Sequence, residues 1–166
     1  MKKLVFVFAL FAVLAGCMSE KSASSKSGKD EFASAEDKAL LEAVKKGDFV
    51  MEALSMQSNL APFETINGYE VRLKGDKIES VLPYIGVAYV APMGGDEGLN
   101  FTGTVLDRKI EVGNKNVKLT LEVRSEHNER STYFFTVYPG GSTNLEVIPE
   151  NKQSISFRGE SSLRSY

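Results

Sequence analysis

The chain has 166 residues, of which 42% are hydrophobic and 25% are charged, and its formal net charge is -2. These values are typical of a single globular domain with short additions. A mildly acidic chain lacks the basic surface by which nucleic-acid-binding proteins neutralise phosphates, so we expect no nucleic-acid partner.

The N-terminus is typical of a secretion signal. Two lysines precede an apolar run at residues 4–13 that is too short to span a bilayer. The segment Leu-Ala-Gly-Cys that follows resembles the bacterial lipobox, which implies cleavage between Gly16 and Cys17 and lipidation of Cys17 by acyl chains such as palmitate. The alternative is an ordinary signal peptide that happens to contain a cysteine. We predict a lipoprotein signal peptide over residues 1–16.

Lipidation accounts for the single cysteine of the chain. With Cys17 acylated, the folded part has no disulfide, thiolate metal site or thiol nucleophile. Residues 17–33 are rich in Ser, Lys, Gly and Ala, which predicts a flexible tether. Met18 replaces the aspartate associated with inner-membrane retention in enteric bacteria. We therefore expect an outer-membrane lipoprotein that faces the periplasm or the cell surface.

One helix is predicted after the tether. Ser34 can cap its N-terminus, with Asp37 completing a variant of the capping box, and Gly47 suits the position after its last turn. The apolar positions on one face of this helix are Leu40, Leu41 and Val44. Because so short a helix is marginal alone, we expect it to pack on the rest of the domain.

From Phe49 onward the apolar residues recur with a period of two, which indicates strands. The clearest run covers residues 117–124, and turn signals such as Asn67-Gly68 separate the runs. About nine short strands joined by tight turns favour antiparallel hairpins. The predicted fold class is mainly β: an antiparallel sheet, sandwich or barrel-like, with one N-terminal helix (α+β by strict count). It forms a single domain over residues 34–160, followed by a tail at 161–166.

Residues 82–101 combine aromatic residues, two prolines and a glycine-rich turn. We interpret this stretch as two strands, Val87–Val90 and Leu99–Val105, joined by a hairpin at 93–98. Its aromatic pair, Tyr84 and Tyr89, is the best candidate for a binding site, although packing at the rim of the core is the favoured interpretation.

The glycine turn carries two further candidate binding residues, Asp96 and Glu97. A single pair of carboxylates falls far short of the ligands that calcium requires, and a solvated hairpin tip is the preferred interpretation. The turn resembles the signature of diguanylate cyclases, but Gly98 replaces the expected Phe, and the alternating helices and strands of that enzyme are missing. We expect neither a metal nor a cofactor.

Catalysis has little support in the sequence. His127 could act as a general base, but it falls in a polar connection without an activated serine. A hydrolase based on two carboxylates would need a pair that spacing alone does not supply. The glutamates in strand-like contexts are Glu64, Glu70, Glu79, Glu122 and Glu146. We predict that the protein is not an enzyme.

A family resemblance rests on the stretch just described and on motifs elsewhere. The residues that carry it are Leu82-Pro83-Tyr84-x-Gly86-x-Ala88-Tyr89, Ala91-Pro92, Gly95, Gly98 and Phe101, with Gly47-Asp48-Phe49, Tyr69, Gly75-Asp76 and Ile155-x-Phe157-x-Gly159. They resemble the domain of unknown function 4251, found in envelope lipoproteins mostly of Bacteroidetes. Ile85 stands where that family more often has an aromatic residue. The resemblance implies class and location but no activity.

Three functions follow as expectations. The leading one is a membrane-anchored, non-catalytic binding or structural module whose partner is another envelope component. The second is a carrier that encloses a small apolar ligand in a barrel cavity. The third is a carboxylate-based hydrolase.

Overall fold

A computed structural model describes residues 32–60, 62–89 and 99–163. Its elements are α1 (Ala35–Lys46), β1 (Asp48–Gln57), β2 (Glu64–Lys74), β3 (Lys77–Leu82), β4 (Leu99–Val112), β5 (Val117–Ser125), β6 (Arg130–Val137), β7 (Ser142–Pro149) and β8 (Ile155–Leu163). The eight strands form a closed antiparallel barrel in chain order. A short 3₁₀ turn, Pro139–Gly141, connects β6 to β7.

The predicted fold class is confirmed, and closure makes the sheet a barrel. Strand β8 pairs with β1 along its whole length, from Phe49 opposite Leu163 to Gln57 opposite Ser156. Each of the eight described strands therefore has two neighbours. The pairing is incomplete at β3, which is short and reaches only Glu70–Lys74 of β2 and Leu99–Thr104 of β4. Strand β8 runs through Leu163, into the predicted tail at 161–166.

Two details of the predicted strands are wrong. The described residues form eight strands instead of about nine, and the partner of β4 is β3, with Leu82 opposite Leu99. Val87–Val90 was predicted to take that place; its last residue and the predicted hairpin at 93–98 lie outside the described residues. The apolar alternation there imitates a strand, but the edge of β4 is already occupied by the strand that ends just before Pro83.

Large side chains fill the barrel interior. Phe49 and Phe135 meet edge to face with ring centroids 5.5 Å apart, and Tyr133 stacks on Phe135 at 6.2 Å. The hydroxyl of Tyr133 lies 3.1 Å from the hydroxyl of Ser80, so this buried phenol has a polar partner. Burial raises the pKa of Tyr133. The interior is a packed core at its described positions.

Helix α1 packs against one end of the barrel, where β1 begins and β8 ends. The predicted cap is confirmed, because the Ser34 hydroxyl accepts a hydrogen bond from the Asp37 backbone N–H at 2.9 Å. This hydroxyl also lowers the pKa of Asp37, whose carboxylate accepts from the Gly140 N–H at 2.7 Å. Gly47 ends the helix with a φ of 71°. No helix in the described part of the chain is long and apolar enough to cross a bilayer.

A positively charged side chain from the barrel wall contacts the C-terminus of α1. Arg108 on β4 donates a hydrogen bond from Nη1 to the Lys46 carbonyl at 3.0 Å, where the helix dipole favours positive charge. The same guanidinium donates to the Gly75 carbonyl in the β2–β3 turn. Helix, turn and wall are thus joined by one side chain.

Candidate functional site

The candidate tyrosines lie at the mouth, the end of the barrel opposite α1. Residues 83–89 leave β3 and cross to the β7–β8 turn, which lies on the far side of the barrel. There the Tyr89 N–H donates to the Asn151 carbonyl at 2.8 Å, and the Gln153 N–H donates to the Val87 carbonyl at 3.0 Å. This mouth segment, defined as residues 83–89, covers the barrel interior at that end.

Tyr84 holds the mouth segment against the core. Its hydroxyl lies 3.0 Å from the Val87 carbonyl and 3.1 Å from the Gln153 carbonyl, so its single proton is placed between two acceptors. Desolvation raises the pKa of Tyr84, while the hydrogen bond to Gln153 acts in the opposite direction. A side-chain carbon at Gly86 would lie 2.5 Å from this hydroxyl. These contacts indicate a structural role for Tyr84.

Of the other candidate binding residues, only Tyr89 lies in the described part of the chain, and its charge interaction with Tyr84 adds to desolvation in raising the pKa of Tyr84. Tyr89 is 66% exposed, and binding by the tyrosine pair stays a prediction. Lys152 is buried with its Nζ 5.3 Å from the centroid of the Tyr84 ring, a neighbour that the sequence did not indicate. Gly16, Cys17, Asp96 and Glu97 lie outside the described residues.

Replacing Tyr84 with phenylalanine should loosen the mouth without unfolding the barrel. The variant loses the hydroxyl that donates to the Val87 or Gln153 carbonyl, which costs about 0.5–1.5 kcal/mol of unfolding free energy. Urea denaturation would measure this loss, and faster hydrogen exchange at the Tyr89 and Gln153 amides would locate it.

The matched control is Tyr89→Phe, since Tyr89 is exposed. We expect the control to change stability by less than about 0.5 kcal/mol. Unchanged exchange in the Tyr84 variant would contradict the assigned role of its hydroxyl.

The catalytic candidates lie on the outer wall or in turns. His127 is exposed in the β5–β6 turn, with Nε2 3.8 Å from the Glu126 carboxylate. Glu70 and Glu79 both form ion pairs with Arg72. Among the described residues, no group of three or more His, Cys, Asp or Glu side chains is arranged to hold a metal ion.

The register does place three carboxylates in one row. Glu52 on β1 lies directly opposite both Glu70 on β2 and Glu160 on β8. Only Glu70 of these three was a sequence candidate. Carboxylate hydrolases separate the roles of their two carboxyl groups by burying one of them, whereas Glu52 and Glu160 are exposed on the wall. We interpret the row as solvated surface.

A groove that sequence reasoning missed runs over the outer faces of β6, β7, β8 and β1. This outer-wall groove has a volume of about 290 Å³. Its outward-facing lining is Gln57, Phe63, Phe134, Thr136, Asn144, Glu146, Ser156 and Arg158. Phe63 reaches it from the β1–β2 connection and lies over Arg158, with the guanidinium carbon 4.5 Å from the ring centroid. The outward ring of Phe134, beside the buried Tyr133 and Phe135, is the one sequence signal that pointed here.

Fold and site together define a closed eight-stranded barrel with a packed interior, a helix at one end and a groove on its outer wall. The chain belongs to the family described as domain of unknown function (DUF4251), whose model matches residues 31–161. The predicted resemblance is therefore confirmed.

The fold is also found among solved structures. An example is the crystal structure of a DUF4251 family protein from Bacteroides eggerthii, 18% identical, with a TM-score of 0.61. The match covers 76% of this chain and 93% of that one. No curated protein matches the chain.

Proposed function

We propose that this protein is a lipid-anchored, non-catalytic binding or structural module of the bacterial envelope that meets its partners with the outside of its barrel. The observation that carries the proposal is the filled interior. Tyr133, Phe135, Phe49 and Phe157 are at most 1% exposed and occupy the space that a carrier barrel keeps for its ligand. Partners are therefore met by the wall and the ends.

The anchor in this proposal is Cys17. Its lipobox context implies several acyl chains, and each buried methylene contributes about 0.8 kcal/mol, so together they hold the protein at the membrane where one chain would not. The residue after Cys17 favours the outer membrane, with the barrel facing the periplasm or the cell surface. The packed core supplies the stability that a disulfide-free envelope domain needs.

The two alternatives lack support from specific contacts. A carrier requires volume inside the barrel. The outer-wall groove lies on the outside, and so do two further grooves, one lined by Ile148 and the other by Glu52. A hydrolase requires two carboxyl groups in different environments with one of them buried, whereas Glu52 and Glu160 are exposed and the half-buried Glu70 is paired with Arg72.

The anchor is tested by expressing the full-length chain and its Cys17→Ser variant in a Gram-negative host. Labelling with an alkyne analogue of palmitate should mark the natural chain in the outer-membrane fraction and leave the variant unmarked. Met18→Ser is the matched control and should keep the label. Protease treatment of intact cells then distinguishes surface from periplasm. An unlabelled natural chain would overturn the anchor.

The binding mode is tested separately by native mass spectrometry of the full-length chain in detergent. We expect the mass of the acylated protein alone, because the interior is filled by its own side chains. A co-purifying apolar small molecule that survives detergent exchange would favour the carrier instead.

A further inference from the structure

The outer-wall groove has the composition of a carbohydrate site. We infer that it binds a neutral oligosaccharide, with sugar rings against Phe63 and Phe134 and hydroxyl groups on the polar side chains between them. This inference deepens the proposed binding role and rests on it.

The two aromatic rings are placed to hold successive sugar units. Phe63 is 47% exposed beside Arg158 on β8, and Phe134 is 38% exposed on β6. Strand β7 lies between these strands, which separates their axes by about 10 Å. The C–H faces of a pyranose pack on exposed aromatic rings and shield them from water. A ligand of two or more linked rings can therefore use both aromatics.

Between the rings lies a block of four polar side chains. Glu146 on β7 faces Ser156 on β8, and in the neighbouring row Asn144 faces Arg158. They offer a carboxylate, a hydroxyl, an amide and a guanidinium, a mixture of donors and acceptors. Within the described residues no protein hydrogen bond or ion pair engages these polar side-chain atoms, and Arg158 contacts the Phe63 ring. Sugar hydroxyls both donate and accept, so they match this mixture.

Charge and topology disfavour the other ligand classes. The groove carries one cation, Arg158, and one anion, Glu146, so its balance suits a neutral ligand and disfavours a polyanion. An extended peptide binds most simply by adding a strand to a sheet edge, and the strands beneath the groove, β6, β7, β8 and β1, are each paired on both sides. The shallow position on the wall suits a segment of a longer chain over an enclosed small molecule.

The test uses the full-length chain in a detergent without sugar headgroups and three neutral probes: maltohexaose, cellohexaose and chitohexaose with N-acetyl groups. Isothermal titration calorimetry should show binding of at least one probe. Phe63→Ala and Phe134→Ala should each weaken that binding by about tenfold, since each removes one stacking ring. Leu60→Ala is the matched control, because Leu60 is an exposed apolar residue of the same β1–β2 connection that does not line the groove, and it should leave binding unchanged.

Three results would overturn the inference. The first is that no neutral hexasaccharide binds. The second is that Leu60→Ala weakens binding as much as Phe63→Ala. The third is that polygalacturonate or an unstructured decapeptide binds more tightly than the neutral probes and is lost in the Phe63 variant. If the chain is acylated at Cys17 but binds no saccharide, only the saccharide inference is rejected. If an unacylated chain binds the saccharide, the groove is a saccharide site and the proposed anchor is rejected.

Discussion

Replacing Gly159 with alanine is expected to destabilise the barrel by more than about 4 kcal/mol, or to prevent folding. A side-chain carbon there would overlap the Glu52 carbonyl oxygen, and it would lie 2.8 Å from the carbonyl carbon and 3.0 Å from the Cα of Ala53. All of these atoms are backbone, so no side-chain rotation relieves the clash. The strands β1 and β8 would have to separate where they close the barrel. Urea denaturation followed by circular dichroism measures the loss.

Gly68→Ala is the control, because it measures the stability lost through backbone conformation alone, without steric overlap. Gly68 has a φ of 78° and nothing within 4 Å of an added side-chain carbon, so its cost is conformational only, about 1–2 kcal/mol. We expect the Gly159 variant to lose at least twice as much stability as this control. Equal losses would contradict the assignment of Gly159 to close strand contact.

The closure at Gly159 shows which interactions local sequence cannot specify. The pairing of β1 with β8 shifts register between Ala53 and Ser55, next to Gly159. Alternation in β8 predicts which residues face inward, as Ile155 and Phe157 do. It does not tell which strand lies alongside, because that partner is about a hundred residues away in the chain. Sandwich and barrel were therefore both compatible with the pattern of the sequence.

Features determined by neighbouring residues were predicted well. The cap of α1 depends on Ser34 and Asp37, and its end depends on the glycine that follows, so the helix could be placed from the sequence. The inward face of β5 follows equally from its alternation. These elements carry their own signals within a few residues.

Features assembled from distant segments were missed. The mouth segment pairs Ala88 with Lys152, and the outer-wall groove brings Phe63 to Arg158. The local pattern at Val87–Val90 predicted a strand instead, and nothing in the sequence singled out Phe63. The site proposed here could not be predicted because it exists only once the register of four strands is known.

Replacing Phe135 with alanine should cost about 3–5 kcal/mol of unfolding free energy and open a cavity inside the barrel. The ring is 1% exposed and packs against Phe49 and Tyr133, so its loss removes contacts on both sides. An apolar cavity of this kind stays dry and accepts small apolar molecules. We expect the variant, but not the natural chain, to bind benzene, as followed by methyl chemical shifts in NMR, while urea denaturation measures the stability change.

Phe134→Ala is the matched control, because it removes the same ring from the adjacent residue but on the outer wall. It should change stability by less than about 1 kcal/mol and create no benzene site. The comparison also decides between the two places where this barrel can hold a ligand. If the natural chain bound benzene as the Phe135 variant does, its interior would have room for a small apolar molecule and the carrier would regain support. If only the variant binds it, the packed interior leaves ligand binding to the outside of the barrel.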